Sequence, residues 1–145
     1  MVKNERVDFI KRLLFLLPIV LVLISCSNKP PSPVFESGVT MSATFTDGEK
    51  TFDVEFVTTN DKTLTLSVKN LPGYSITFSK NGVRVRFGDI EFQQNSDLFS
   101  RFSPIYQMYL DSFEEEPLHT SFNYSKKNTL ESIVHSSGCV IKDIK

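Results

Sequence analysis

Apolar and polar residues alternate with a period of two through the middle of this chain. Val39, Met41, Ala43 and Phe45 interleave with Thr40, Ser42 and Thr44, and Phe52, Val54 and Phe56 interleave with Asp53 and Glu55. Leu64, Leu66 and Val68 continue the pattern against Thr65 and Ser67. After a break at Leu71-Pro72-Gly73 it resumes with Ile76 and Phe78, then with Val83, Val85 and Phe87 set against Arg84 and Arg86. Such patterning marks strands with one buried and one wet face. Asp47-Gly48, Asn60-Asp61 and Asn81-Gly82 supply the turns, the last being the strongest hairpin signal because both of its positions accept positive φ. The pattern predicts a five-stranded antiparallel meander. Ile90 and Phe92 have the opposite parity to Phe87, which predicts a bulge or bend at Gly88-Asp89 that curls the sheet.

The period then lengthens. Ile105, Met108, Tyr109 and Phe113 recur at helical spacing, with Ser103 placed to cap and Pro104 suited to the first helical position. Leu98, Phe99 and Phe102 suggest a short turn or helix ahead of it, and Pro117 ends the segment. Glu114-Glu115-Glu116 fan around the helix end and read as a solvated face, because consecutive residues do not converge on one ion. Strand patterning returns at Phe122 and Tyr124, then from Leu130 to Val134 and from Cys139 to Ile144. The expectation is an α+β fold, a curved antiparallel sheet of about eight strands with one main helix packed on its concave face.

Ahead of the strands lies a different pattern. Lys3, Arg6, Lys11 and Arg12 outweigh Glu5 and Asp8, and an apolar run from Leu13 to Ile24 follows, broken only by Pro18. This is the layout of a secretory signal. It ends in Leu23-Ile24-Ser25-Cys26, which resembles the lipobox of bacterial prolipoproteins. That resemblance implies cleavage between Ser25 and Cys26, acylation of Cys26, and a protein held on the extracytoplasmic face of the cell membrane. The alternative is an uncleaved anchor, although a spanning helix takes roughly 20 apolar residues and Lys11-Arg12 limit this run. Residues 26–37, with Pro30, Pro31 and Pro33 among polar residues, read as the lipidated Cys and a semi-rigid tether. Residues 38–145 then form one domain, enough for a single core.

Composition narrows the function. The whole chain carries a net charge of −1, and loss of residues 1–25 removes more cations than anions. No basic stripe remains, so nucleic acid is a poor partner and attachment to a membrane rests on acyl chains. Cys139 is left without a partner cysteine and reads as a small packed residue rather than a redox thiol. His119 and His135 lack metal-ligand spacing, and neither a nucleophile elbow nor a phosphate-binding glycine motif occurs. Asp53 and Glu55 share a strand face but sit among threonines on its wet side. The expectation is no cofactor, no metal and no catalysis.

What remains is the apolar face itself. Phe45, Phe52, Phe56, Leu64, Leu66, Phe78, Val85 and Phe87 share one side of the sheet if the register holds. Met108, Tyr109 and Phe113 face them from the helix. Two readings stand: these residues fill a core, or an incompletely covered sheet leaves a slot that they line for a lipid or other apolar ligand.

The order of elements resembles the lipoprotein-carrier-like (LolA-like) superfamily of exported bacterial proteins, and in particular short lipoproteins of that shape in Gram-positive bacteria. The resemblance is carried by LISC and the polar tether, by GVTMSATFTDGEKTFDVEF, by TLTLSVKNLPGYSITFSKNGVRVRFGDIEF, by the helix SPIYQMYLDSF and by the closing CVIKDIK, over roughly residues 36–145. It implies an incomplete barrel with helices on its concave face, and proteins that bind acyl chains or sense exported lipoproteins. The expected function is a membrane-anchored lipoprotein that binds or presents a lipid-like ligand. The alternative is a scaffold module that meets an envelope protein partner and has a fully packed core.

Overall fold

Nine antiparallel strands and one helix make up residues 34–94 and 101–145, the part of the chain that the computed structural model describes. The strands are β1 (Thr40–Thr46), β2 (Thr51–Thr58), β3 (Leu64–Val68), β4 (Tyr74–Ser79), β5 (Gly82–Phe87), β6 (Ile90–Gln94), β7 (Thr120–Tyr124), β8 (Leu130–His135) and β9 (Val140–Lys142). Helix α1 (Ser103–Asp111) falls between β6 and β7. The leader, Ser25, Cys26 and the tether as far as Pro33 lie outside the described residues, as do Leu98 and Phe99.

The strands form a single open, curved sheet in the order β6-β5-β4-β3-β2-β1-β9-β8-β7. Closure between its two halves comes from β9, which returns to lie beside β1 with Ile141 opposite Phe45. Lys145 extends this pairing by exchanging both backbone hydrogen bonds with Ser42, at 2.9 and 3.0 Å. The two edges, β6 and β7, are therefore the strands on either side of the helical connection.

Strand number is nine rather than eight because the chain does not merely bend at Gly88-Asp89. Phe87 pairs directly with Ile90, and the two residues between them form a tight hairpin turn with Gly88 at a φ of +58°. A two-residue turn brings partners of opposite parity onto the same face, which accounts for the phase change. The Asn81-Gly82 signal is displaced by one residue: Ser79 pairs with Gly82, so Lys80 and Asn81 form the turn and Gly82, at φ +119°, opens β5. This register sets Val83 opposite Phe78 and Val85 opposite Ile76, all apolar positions of one face. A slip of one residue would expose that entire set.

Other turns follow their side-chain chemistry. Asp47 Oδ1 accepts the backbone N–H groups of Lys50 at 2.7 Å and Glu49 at 3.0 Å, fixing the β1–β2 turn. Those two bonds, the Lys50 one foremost, hold the Asp47 carboxyl below its ordinary range, with Arg101 adding to the effect. Thr59 and Asp61 bond side chain to side chain in the β2–β3 turn.

One face of the sheet is the core. Phe45, Val54, Leu64, Leu66, Ile76, Ile133 and Ile141 are all fully buried beneath α1, which contributes Ile105, Met108 and Tyr109. Full burial of each such side chain stabilises the fold by about 1.5–3 kcal/mol. Helix α1 begins one residue earlier than its sequence signals suggest. Phe102 occupies the cap position without a side-chain cap, Ser103 is already helical and Pro104 sits in the first turn, where a missing N–H is harmless. At the other end the helix stops at Asp111, before Phe113.

Polar bonds fix α1 laterally. The Tyr109 phenol donates to the Thr59 carbonyl at 3.1 Å, and the Tyr106 phenol donates to the Lys62 carbonyl at 3.0 Å. Burial pushes both phenols up from their usual pKa, so both remain donors. Phe35 also enters the core, 5.5 Å from the Phe56 ring and 5.4 Å from the Tyr109 ring. Gly38 N–H bonds to the Thr58 carbonyl at 2.8 Å. Residues 34–37, read from the sequence as the end of the tether, thus belong to the folded unit, with Phe35 in its core.

Candidate functional site

Alternation continues across the β5–β6 hairpin, but cover does not. Val85 pairs with Ile76 on one side and Phe92 on the other, and Phe87 pairs with Tyr74 and Ile90. Antiparallel partners share a face, so Val85, Phe87, Ile90 and Phe92 all lie on the face that α1 packs against. Val85 is buried at 5%, whereas Phe87, Ile90 and Phe92 are 59, 58 and 55% exposed. The inner face is therefore sealed at its centre and open along β6.

On the reverse of the hairpin, Arg84 and Arg86 reach across to one acid. Glu91 lies 3.3 Å from the Arg84 guanidinium and 3.6 Å from that of Arg86. The partner of both arginines thus lies on β6, the strand that the sequence pattern did not reveal. All three side chains are well exposed, and such surface pairs add little stability. Their role is to keep one side of the hairpin wet while the other presents phenyl and isoleucyl groups.

The residues expected to line a ligand slot divide into two groups. Phe45, Phe56, Leu64, Leu66, Phe78, Met108 and Tyr109 come together, each 2% exposed or less. A cavity large enough for an acyl chain would leave its walls accessible, so these residues fill a core. Val85 is the last sealed position. Phe52 is half-buried, its ring 5.3 Å from Phe102 and beneath the Arg101 guanidinium at 5.6 Å. Phe113 is 47% exposed; it packs edge-on against Tyr109, with the Lys62 ammonium 5.0 Å above its ring. Of the expected lining residues, only Phe87 belongs to the open strip. Ile90 and Phe92 join it, and Leu71 (47% exposed) lies in the β3–β4 turn beside it. The signal for them was Gly88-Asp89 read as a hairpin turn, which would have placed Ile90 and Phe92 beside Phe87.

A polar cluster forms where α1 meets β7. Asp111, buried at the helix terminus, accepts hydrogen bonds from Gln107 Nε2 at 2.8 Å and from the Thr120 hydroxyl at 2.6 Å. His119 and His135 lie nearby with ring centroids 6.3 Å apart. His135 Nδ1 accepts the backbone N–H of Ser137 at 3.2 Å and lies 2.7 Å from its hydroxyl, a local turn arrangement. Burial holds the His135 imidazole below its usual pKa, opposed by the Asp111 charge and reinforced by His119. Among the described residues, no group of three or more His, Cys, Asp and Glu side chains is placed to hold a metal ion. Cys139 is buried in the core. Asp53 and Glu55 lie on the outer face, where Glu55 bonds to Ser42 and pairs with Lys69. Glu114, Glu115 and Glu116 are exposed beyond the helix end.

Within the described residues no helix is long and apolar enough to cross a membrane. No protein-family model, curated protein or solved structure matches this chain.

Proposed function

We propose that this chain is a non-catalytic lipoprotein of the cell envelope, held at the extracytoplasmic face of the membrane by acylated Cys26. In this reading it binds or presents a hydrophobic, lipid-like ligand at the open edge of its inner sheet face. The observation that carries the proposal is the exposure of Phe87, Ile90 and Phe92 on the same face as fully buried Ile76 and Leu66. Monomeric proteins seldom leave such contiguous apolar surface uncovered without an interaction to serve. The lipobox resemblance supplies the address. The open curved sheet with a helix on one face agrees with the lipoprotein-carrier-like resemblance, in which apolar ligands meet the inner face. Here the meeting place is the rim of that face, because its centre is filled.

A second reading is favoured by that filled centre: a scaffold module that takes an envelope protein along β6, the terminal strand of the sheet among the described residues. Titration of residues 27–145 with an environment-sensitive naphthylamine probe separates the two. Ligand binding predicts enhanced, saturable emission that is lost in a Phe87→Ser, Phe92→Ser double variant. Flat emission from the unaltered protein would favour the scaffold.

A further inference from the structure

The open strip ends in a tip built from two turns joined backbone to backbone. Gly88 N–H donates to the Gly73 carbonyl at 2.9 Å, linking the β5–β6 turn to the β3–β4 turn. The approach is close: a Cβ on Gly73 would lie 3.4 Å from the Gly88 nitrogen. Leu71 projects from one turn, and Phe87 and Ile90 flank the other, each about half exposed or more, with Phe92 extending the strip along β6.

We infer that this strip rests on the lipid bilayer in which Cys26 is anchored, with Leu71, Phe87, Ile90 and Phe92 inserted among the acyl chains at the interface. The inference depends on the reading that Cys26 is acylated, and it names the apolar partner of the open edge. Chain length supports it. From Cys26 to Val34 the backbone can span at most roughly 25–30 Å. The chain enters the sheet where Gly38 bonds to Thr58, at the end of β2 opposite the tip. From Thr58 back to Val54, level with Val68 and the start of the tip, is about 13 Å of strand. The tether therefore exceeds the depth of the sheet and allows the tip to face the membrane, while keeping the strip within tens of ångströms of lipid. Confinement of that kind raises the effective concentration enough for a contact that would be weak in a free protein. The contact also adds buried apolar area to the hold that the acyl chains supply.

Charge selects the kind of lipid. Of the cations beside the strip, Lys69 pairs with Glu55, Arg84 and Arg86 share Glu91, and the exposed acid Asp89 lies in the turn between β5 and β6. Little cationic surplus faces the headgroups, so the contact is apolar and zwitterionic lipid suffices.

The chain contains no Trp, so Phe87→Trp reports on the tip alone. The mature lipoprotein carrying Phe87→Trp, or Phe92→Trp should the first variant fold poorly, is reconstituted into phosphatidylcholine vesicles. Intact mass of the same sample verifies acylation. The expected result is blue-shifted emission, quenched by brominated phosphatidylcholine and independent of protein copies per vesicle. Leu118→Trp, at a position 89% exposed in the α1–β7 connection, should keep a water-exposed spectrum. Water-exposed emission from acylated Phe87→Trp protein overturns the bilayer contact and leaves the anchor standing. A shift seen only at high copy number assigns the strip to a second copy of the chain and overturns it too. A mass without acylation removes the premise and overturns both.

Discussion

The hydroxyl of Thr120 donates a 2.6 Å hydrogen bond to the Asp111 carboxylate, and both residues are buried. Asp111 is the final residue of α1, where the helix dipole disfavours an acid, so its position depends on Thr120 and Gln107. Asp111→Ala would strand the Thr120 hydroxyl and the Gln107 amide. The expected loss is about 2–3 kcal/mol, read as a lowered midpoint in urea unfolding, with Asp111→Asn losing less because an amide can still bond to both groups.

His135 gives the fold a pH dependence of defined sign. Burial lowers its pKa in the native state below the ordinary 6.5. The unfolded chain therefore binds a proton first as the solution is acidified. The stability due to neutral His135 is complete above about pH 6.5 and is lost as the pH falls through the lowered native value. Unfolding midpoints measured from pH 8 to pH 5 should decline, and His135→Asn should flatten that decline while retaining an acceptor for the Ser137 N–H.

Core and rim should respond in opposite ways to truncation. Phe45 is fully buried, and Phe45→Ala should destabilise by about 3–5 kcal/mol through lost burial and the cavity left behind. Phe92 lies on the same inner face but is 55% exposed, so Phe92→Ser should change stability by no more than about 0.5 kcal/mol. Chemical denaturation of the two variants side by side measures the contrast. Equal losses would mean that the strip is core.

The tip makes its own demand on the backbone. Gly73 has a φ of +79°, a left-handed conformation that other residues rarely adopt, and an added Cβ would only touch Gly88. Gly73→Ala should destabilise by about 1–2 kcal/mol from the left-handed conformation alone, while thermal melting remains cooperative.

Much of the fold was legible because its physics is local. Alternation at Phe52, Val54 and Phe56, or at Leu64, Leu66 and Val68, determines which face is buried whatever the neighbouring strand. The same holds for Ile105, Met108 and Tyr109 on the helix. The β6 strand was hidden because a reversal of parity has two causes, a bulge and a two-residue turn, and pairing alone distinguishes them. Pairing of Phe45 with Ile141 was not legible at all, since nothing near either residue encodes a partner so distant in sequence. The candidate site suffered from both effects. Residues expected to line a slot, such as Leu66 on the sheet and Met108 on α1, proved to be fully buried in one shared core. Ile90 and Phe92 became part of the strip only once β6 was placed. Asp111 gave no signal, because a lone acid at a helix end reads as solvated until Thr120 is brought against it.

The central claim is that this domain works at a membrane surface to which acylated Cys26 holds it. Metabolic labelling of the native host with an alkyne fatty acid, followed by purification of the chain, tests this most directly. Label on the unaltered protein and none on a Cys26→Ser variant is the predicted result. Label that persists after Cys26→Ser, or that never appears on the unaltered chain, would contradict it.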